Sequence, residues 1–255
     1  MKTFLKRTII MPLIVAICAP LVAVSVASAA STERSTNDTS TSPTTNSSTA
    51  TSGETALATF KTKGDAEISR RLKTLDTLTT KISANTKLSA SDKTALTAEV
   101  TSEISGLTAL KTKLDAETTR AGAIADVQSM ISDYRVYALI VPKVELLKTA
   151  DSQQQTQDKL TTLAAKLQTR ITEAKTAGKD VTALQTQLDQ MKAQISAAQA
   201  LSTAEQTKLL ALQPTDYDAD HTVLLAIITQ LKSAQSMNQT AYNSAKSIVA
   251  GLKAL

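Results

Sequence analysis

Apolar side chains recur at intervals of three and four residues from about Glu54 to the end of the chain. This spacing places them on one face of an α-helix, so it predicts a series of amphipathic helices. The first helix carries Leu57, Phe60, Ile68, Leu72, Leu75, Leu78 and Ile82. The second carries Leu96, Val100, Ile104, Leu107, Leu110 and Leu114. Only six Gly and five Pro occur in the chain, which leaves few of the turns that an all-β protein needs.

Local signals mark where the helices begin and end. Ser89 or Ser91 is the expected N-cap of the second helix, and residues 118–122 form the next turn. Gly178 is the expected end of a fourth helix. Pro142 interrupts the third pattern, because proline lacks a backbone donor and crowds the preceding turn. We expect a kink or a break there, with the third and fourth helices forming one long bent rod.

The last two helices have heptad spacing, which is typical of helices that pack side by side. The final helix alternates three and four residues through Leu224, Ile227, Leu231, Ala234, Asn238, Ala241, Ala245, Ile248, Leu252 and Leu255. Asn238 on this seam fixes the register of packing at some cost in stability. These patterns predict an all-α, elongated antiparallel helical bundle or coiled coil. Residues 54–150 and 151–255 are the expected first and second helical units, which would be two three-helix units sharing the kinked helix.

Residues 1–29 have the three parts of an export signal. Lys2, Lys6 and Arg7 are followed by an apolar stretch, and Ala27-Ser28-Ala29 is a cleavage site with small side chains. We therefore predict cleavage after Ala29. The alternative is an uncleaved anchor, because the apolar stretch of about 20 residues is long enough to span a membrane.

Residues 30–53 are predicted to form a disordered, Ser/Thr-rich stalk. Fifteen of the 23 residues from 31 to 53 are Ser or Thr, and only Ala50 is apolar, so burial cannot offset the entropy lost on ordering. The only cysteine, Cys18, lies in the signal, so cleavage would leave a chain without thiols. The sequence thus predicts an exported protein, located outside the cell or at its surface.

Composition and charge argue against several classes of function. Aromatic residues make up 2% of the chain, which disfavours a deep small-molecule pocket, and we expect no cofactor. Three of the 28 basic residues lie in the signal, which leaves 25 against 23 acidic residues and a formal charge of about +2. A nucleic-acid partner would require a basic patch, so we expect none. A membrane contact is expected only through an uncleaved N-terminal segment.

Two groups of side chains are candidates for a metal site. Asp216, Asp218 and Asp220 have the spacing of a calcium loop, but His221 and Ile227 stand where that loop needs Gly and Glu. Capping of the last helix, where the helix dipole favours negative charge, is the preferred interpretation. Glu99 and Glu103 lie one turn apart, but the Glu-x-x-His partners of a di-iron bundle are absent. No motif for nucleophilic or metal-assisted catalysis is present, so the chain is predicted not to be an enzyme.

The stretch Ser132–Lys143 concentrates two Tyr residues, an Arg and a helix-breaking Pro. One interpretation makes Tyr134, Arg135 and Tyr137 an interaction patch, because Tyr and Arg are common interface anchors. The other places this stretch in the core where the helix bends. The second is favoured, because Tyr134 falls on the apolar pattern.

The chain resembles a group of uncharacterised exported all-helical proteins of candidate-phyla bacteria. The resemblance rests on the signal and on three segments, Lys63–Leu72, Lys87–Thr118 and Ser132–Lys143. The resemblance covers most of residues 54–150 and implies location and fold only. The three-helix layout is similar to spectrin-like repeats by analogy.

The leading hypothesis for function is a non-catalytic secreted or cell-surface scaffold that presents helix faces to a protein or envelope partner. The alternative is a coiled-coil protein that assembles with itself through the C-terminal heptad helix. A membrane-active helical protein and an enzyme are less favoured.

Overall fold

The computed structural model describes residues 47–255, which are helical almost throughout and contain no strand. The helices are α1 (Ser47–Ala84), α2 (Ala90–Ala116), α3 (Arg120–Ser132), α4 (Val141–Thr176), α5 (Thr182–Ala211), α6 (Pro214–Ala219) and α7 (Val223–Lys253). A π-helical turn, Val136–Ile140, precedes α4. The predicted all-α bundle is confirmed. The predicted signal and residues 30–46 of the predicted stalk lie outside the described residues, while residues 47–53 belong to α1.

Local capping interactions set the helix ends; the caps at Ser89 and Gly178 were predicted, and the cap at Thr119 lies within the predicted turn of residues 118–122. The Ser89 hydroxyl accepts a hydrogen bond from the Asp92 backbone N–H at the start of α2. The Thr119 hydroxyl likewise accepts a hydrogen bond from the Gly122 backbone N–H at the start of α3. After α4, Gly178 adopts a φ of 79°, which closes a Schellman turn with the bonds Gly178 N–H to Lys175 O and Lys179 N–H to Ala174 O. These signals are reliable because each is satisfied by residues close in sequence.

The junction between α3 and α4 differs from the bent rod that we expected at Pro142. The helix stops earlier, at Asp133, and Arg135 then takes a φ of 24°, a conformation that L-residues rarely adopt. The chain resumes in a π-helical turn, where Ile140 N–H bonds to Arg135 O. Pro142 consequently lies in the first turn of α4, where its missing N–H does no harm. The helices α3 and α4 are therefore two separate helices.

Two clusters of buried apolar side chains form the core. The first apolar cluster draws on α1, α2, α3, the π-helical turn and the start of α4, and also on the end of α5 and the start of α7. The second apolar cluster contains the later part of α4, the first part of α5 and the later part of α7. The described residues, 47–255, all belong to one compact unit. The clusters thus do not follow the predicted boundary at residue 150, because α5 and α7 contribute to both.

A polar layer separates the two apolar clusters. Its members are the buried residues Asp92, Asp151, Gln153, Gln157, Ser202, Glu205 and Asn238, together with Gln154 and Gln206. On α4 the layer falls between Ala150 of the first cluster and Leu160 of the second. On α5 and α7 it also lies between residues of the two clusters. The same helices therefore pass from an apolar core through a polar layer to a second apolar core.

Thr side chains occupy many exposed positions on these helices. The hydroxyls of Thr94, Thr101 and Thr108 on α2 each donate to the backbone carbonyl four residues earlier. A β-branched residue is a weak helix former, but this bond satisfies its hydroxyl within the helix. The Thr-rich surface is thus compatible with regular helix. Among the described residues, no helix is both long and apolar enough to cross a membrane.

Candidate functional site

The three residues of the predicted interaction patch point towards different elements. Tyr134 packs against Gly106 of α2, Arg135 forms an ion pair with Asp218 of α6, and Tyr137 lies against Arg71 of α1. The structure therefore does not gather the three side chains into one surface. They instead connect the α3–α4 junction to three neighbouring helices.

Tyr134 belongs to the edge of the first apolar cluster. A Cβ atom added at Gly106 would lie 2.5 Å from Cε1 of Tyr134, so the glycine is what lets the ring approach α2 this closely. Burial, followed by the charges of Asp133 and Glu103, raises the pKa of the Tyr134 phenol. Its ring thus serves in packing, as the apolar pattern predicted.

Arg135 combines a strained backbone with a buried side-chain atom. Its Nη2 pairs with Asp218, whereas its Nε is buried and has no hydrogen-bond partner. The positive φ turns the chain from α3 into the π-helical turn. Because the ion pair joins this turn to α6, we infer that it helps to hold the unusual conformation.

Tyr137 is the exposed member of the predicted patch, with 41% of the residue accessible. The guanidinium carbon of Arg71 lies 5.2 Å from its ring centre, and its hydroxyl lies 3.4 Å from that of Thr74. A cation over a Tyr ring is a favourable electrostatic contact that also orients the ring. Tyr137 is therefore held in place yet presents one side to solvent.

The three aspartates of the candidate metal site each have a separate partner. Asp216 accepts a hydrogen bond from the Gln213 backbone N–H as part of a capping box at the start of α6. Asp218 pairs with Arg135, and Asp220 accepts from the backbone N–H and hydroxyl of Thr222. These carboxylates precede α7 rather than lie in its first turn, because the short α6 contains or flanks them. Within residues 47–255, no group of three or more His, Cys, Asp or Glu side chains could hold a metal ion.

A buried lysine was not predicted from the sequence. Lys143, in the first turn of α4, is fully buried, and its Nζ lies 2.7 Å from Glu99 Oε1 of α2 and 3.0 Å from the carbonyl oxygen of Leu212. One ammonium group thereby joins α2, α4 and the end of α5. The available signal was its position within the apolar run from Ala138 to Leu147, where a solvated lysine is out of place.

Glu103 lies one turn after Glu99 and completes this charged group. Its Oε2 is buried without a hydrogen-bond partner. Burial and the nearby charge of Glu99 raise the pKa of Glu103 to about 7, although Lys143 acts in the opposite direction. The group can therefore gain or lose a proton near neutral pH.

The polar layer contains a chain of hydrogen bonds between α4, α5 and α7. Gln157 Nε2 donates to the Ser202 hydroxyl at 3.1 Å, and this hydroxyl donates to Gln153 Oε1 at 3.0 Å. Gln153 Nε2 in turn donates to the Leu231 carbonyl of α7 at 2.9 Å. Asn238 is buried on the α7 seam, as its position in the heptad indicated. Since polar partners must meet in this layer, it favours one register of the three helices.

The apolar seam of α7 is covered within the chain. Its residues from Leu224 to Ile248 are buried, and the helix packs on α4 and α5. The seam that would pair between chains in the self-assembly alternative is thus covered by α4 and α5 of the same chain. A hollow of about 500 Å³ lies along α4 and is lined by Gln168, Thr169, Thr172, Glu173 and Thr176 of that helix alone.

The chain matches no family model, and no curated protein or solved structure matches it significantly.

Proposed function

We propose that this chain is an exported, non-catalytic helical scaffold that presents helix faces to a protein or cell-envelope partner. The proposal rests on how the buried ionisable side chains are used. Lys143 joins α4 to α2 and α5, and the buried Asp126 of α3 accepts from Lys113 of α2 at 2.6 Å. Asp151 binds both the start of α2 and α5. The buried ionisable side chains of Lys143, Asp126 and Asp151 are therefore engaged in helix–helix contacts.

Export is supported by the sequence of residues 1–29, and it is tested by expressing the full chain in a bacterial host. Intact-mass measurement of the secreted protein is expected to give a chain that starts at Ala30. Recovery of the uncleaved chain from the membrane fraction would favour the anchor interpretation. Recovery of the uncleaved chain from the cytosol would contradict export.

A partner contact is tested at Tyr137, the exposed residue of the predicted patch. Tyr242 on α7 is a matched control, because it is 49% exposed and Lys246 lies over its ring at 5.7 Å. Retention on immobilised envelope fractions is compared for the original chain, Tyr137→Ala and Tyr242→Ala. We expect about tenfold weaker retention for Tyr137→Ala alone, as for an aromatic interface anchor. Equal retention of all three proteins would remove this face from the proposal.

Self-assembly through α7 is the alternative that the sequence raised. The intramolecular burial of the α7 seam does not favour it, since pairing between chains would require α7 to leave α4 and α5. Sedimentation across a range of concentrations tests this point. A single monomeric species is expected, and a dimer that disappears when Leu231 is changed to Ala would support the alternative.

A further inference from the structure

Two carboxylates meet in the polar layer with almost no access to solvent. Asp92, in the first turn of α2, is 2% exposed, and Asp151 of α4 is 3% exposed. Both accept hydrogen bonds from the same amide nitrogen, Nε2 of Gln206 on α5, at 2.6 and 3.0 Å. The oxygens that share this donor are thus held close together. The other oxygen of Asp151 accepts from the Ser89 backbone N–H at 2.6 Å.

The orientation of the bridging amide is fixed by its other end. Gln206 Oε1 accepts a hydrogen bond from Gln154 Nε2 at 2.7 Å, so the amide must direct its nitrogen towards the two carboxylates. A neutral amide can donate one hydrogen to each acid, but it supplies no positive charge. It therefore brings the carboxylates together without balancing two negative charges.

No basic side chain offsets the charge of this pair within residues 53–255. None of the ion pairs in that range includes Asp92 or Asp151. Lys93 of α2 donates to the Ser83 carbonyl, and Lys208 of α5 pairs with the neighbouring Glu205. No titratable group of α7 acts on Asp151. Two adjacent buried anions would thus face each other with only neutral donors between them.

We propose that Asp92 and Asp151 share one proton, and that loss of this proton loosens the start of α2 from α4 and α5. Adjacent carboxyl groups cannot both ionise easily where water is excluded, so one of them retains its proton. The proton is assigned to Asp151, because Asp92 lies in the first turn of α2, where the helix dipole favours a negative charge. The pair then acts as a pH-sensitive contact between the α1–α2 turn and the rest of the bundle.

The environment of Asp151 favours the same assignment. Burial raises the pKa of Asp151, the Ser89 backbone N–H lowers it, and the charge and hydrogen bonding of Asp92 raise it, with a net upward direction. A carboxyl group whose pKa is higher in the folded than in the unfolded chain binds its proton more tightly when folded. Its contribution to stability is present at low pH and is lost as the pH rises through the folded-state pKa.

The proton is detected directly by carbon-13 NMR of the full chain labelled only at the side-chain carboxyl carbon of Asp. This label excludes Glu103, which also titrates in the folded protein. Samples are the original chain, Asp92→Asn, Asp151→Asn and the control Asp158→Asn, whose side chain is exposed on the same helix as Asp151. Because Asp92 and Asp151 are each replaced in a separate variant, the pair can still be tested if one of the two variants fails to fold.

We expect the Asp92 and Asp151 signals to respond together in two steps, the upper one at least about one pH unit above the ordinary pKa of an Asp side chain. In Asp92→Asn the Asp151 signal should titrate in one step, and the Asp158→Asn protein should retain both steps. Independent single steps for Asp92 and Asp151 would overturn the shared proton. So would an Asp151 titration that Asp92→Asn leaves unchanged.

Loosening of the contact is measured by hydrogen exchange of the Ser89 amide, corrected for its intrinsic pH dependence. Protection should fall about tenfold above the upper titration step in the original chain and stay constant in Asp92→Asn. Constant protection across that step in the original chain would overturn the proposed loosening.

Discussion

Glu103→Gln replaces the carboxyl group whose pKa is raised to about 7 by a polar amide group of similar size. In the folded chain this carboxyl is partly buried beside Glu99, so its charged form is disfavoured relative to the unfolded chain. The folded protein consequently binds the proton more tightly. The original chain should lose stability as the pH rises from about 4.5 to about 7, and the loss should then remain constant.

The size of this effect follows from the pKa difference. Glu103 has an ordinary pKa of 4.5 and a folded-state pKa of about 7. One pKa unit corresponds to about 1.4 kcal/mol, which gives an upper bound of about 3.4 kcal/mol. The side chain is only half-buried, and water screens it, so we expect about 1.5 kcal/mol.

Urea unfolding followed by circular dichroism provides the assay. At pH 8, Glu103→Gln should be about 1.5 kcal/mol more stable than the original chain, and at pH 4 the two should be nearly equal. Glu145→Gln is the control, because Glu145 is exposed and forms only a surface pair with Lys148. A stability difference that is the same at both pH values, or a less stable Glu103→Gln protein at pH 8, would refute the reasoning.

Three further substitutions test the packing. Lys143→Met should lower the free energy of unfolding by about 3 kcal/mol, because Glu99 loses its buried partner. The double variant with Glu99→Leu should recover most of this loss, and an absence of recovery would contradict the pairing. Gly106→Ala should cost about 2 kcal/mol in a urea titration because the new methyl group meets Tyr134, and Tyr134→Leu in the same chain should reduce the cost. Ser89→Ala should cost about 1 kcal/mol through loss of the N-cap, measured by thermal unfolding, and an unchanged melting temperature would show that the cap is dispensable.

The helix ends show how far local sequence signals extend. Ser89, Thr119 and Gly178 act through hydrogen bonds to residues within a few positions, so the sequence contains all that is needed to predict them. Pro142 marked a real interruption, but the break lies upstream at Asp133–Arg135. Its position depends on contacts with α2 and α6, which are distant in sequence.

The candidate sites were only partly predictable for the same reason. The apolar pattern placed Tyr134 against the first apolar cluster, where it is partly buried, and the heptad placed Asn238 on a buried seam. The pattern could not show that Tyr134, Arg135 and Tyr137 contact three different helices. It also could not show that the three aspartates near residue 218 each have a different partner, because these partners are set by the position of the short α6.

The helical class and the helix ends at Ser89 and Gly178 could be predicted from the sequence, because periodicity and capping are local properties of the chain. The burial of Lys143 against Glu99 and the contact between Asp92 and Asp151 depend on how the helices pack. Those partners are 44 and 59 positions apart, and no spacing rule relates residues on different helices. Packing also places α5 and α7 in both apolar clusters, because each helix buries the face that its neighbours cover. Burial is shared between helices, whereas periodicity is a property of one helix.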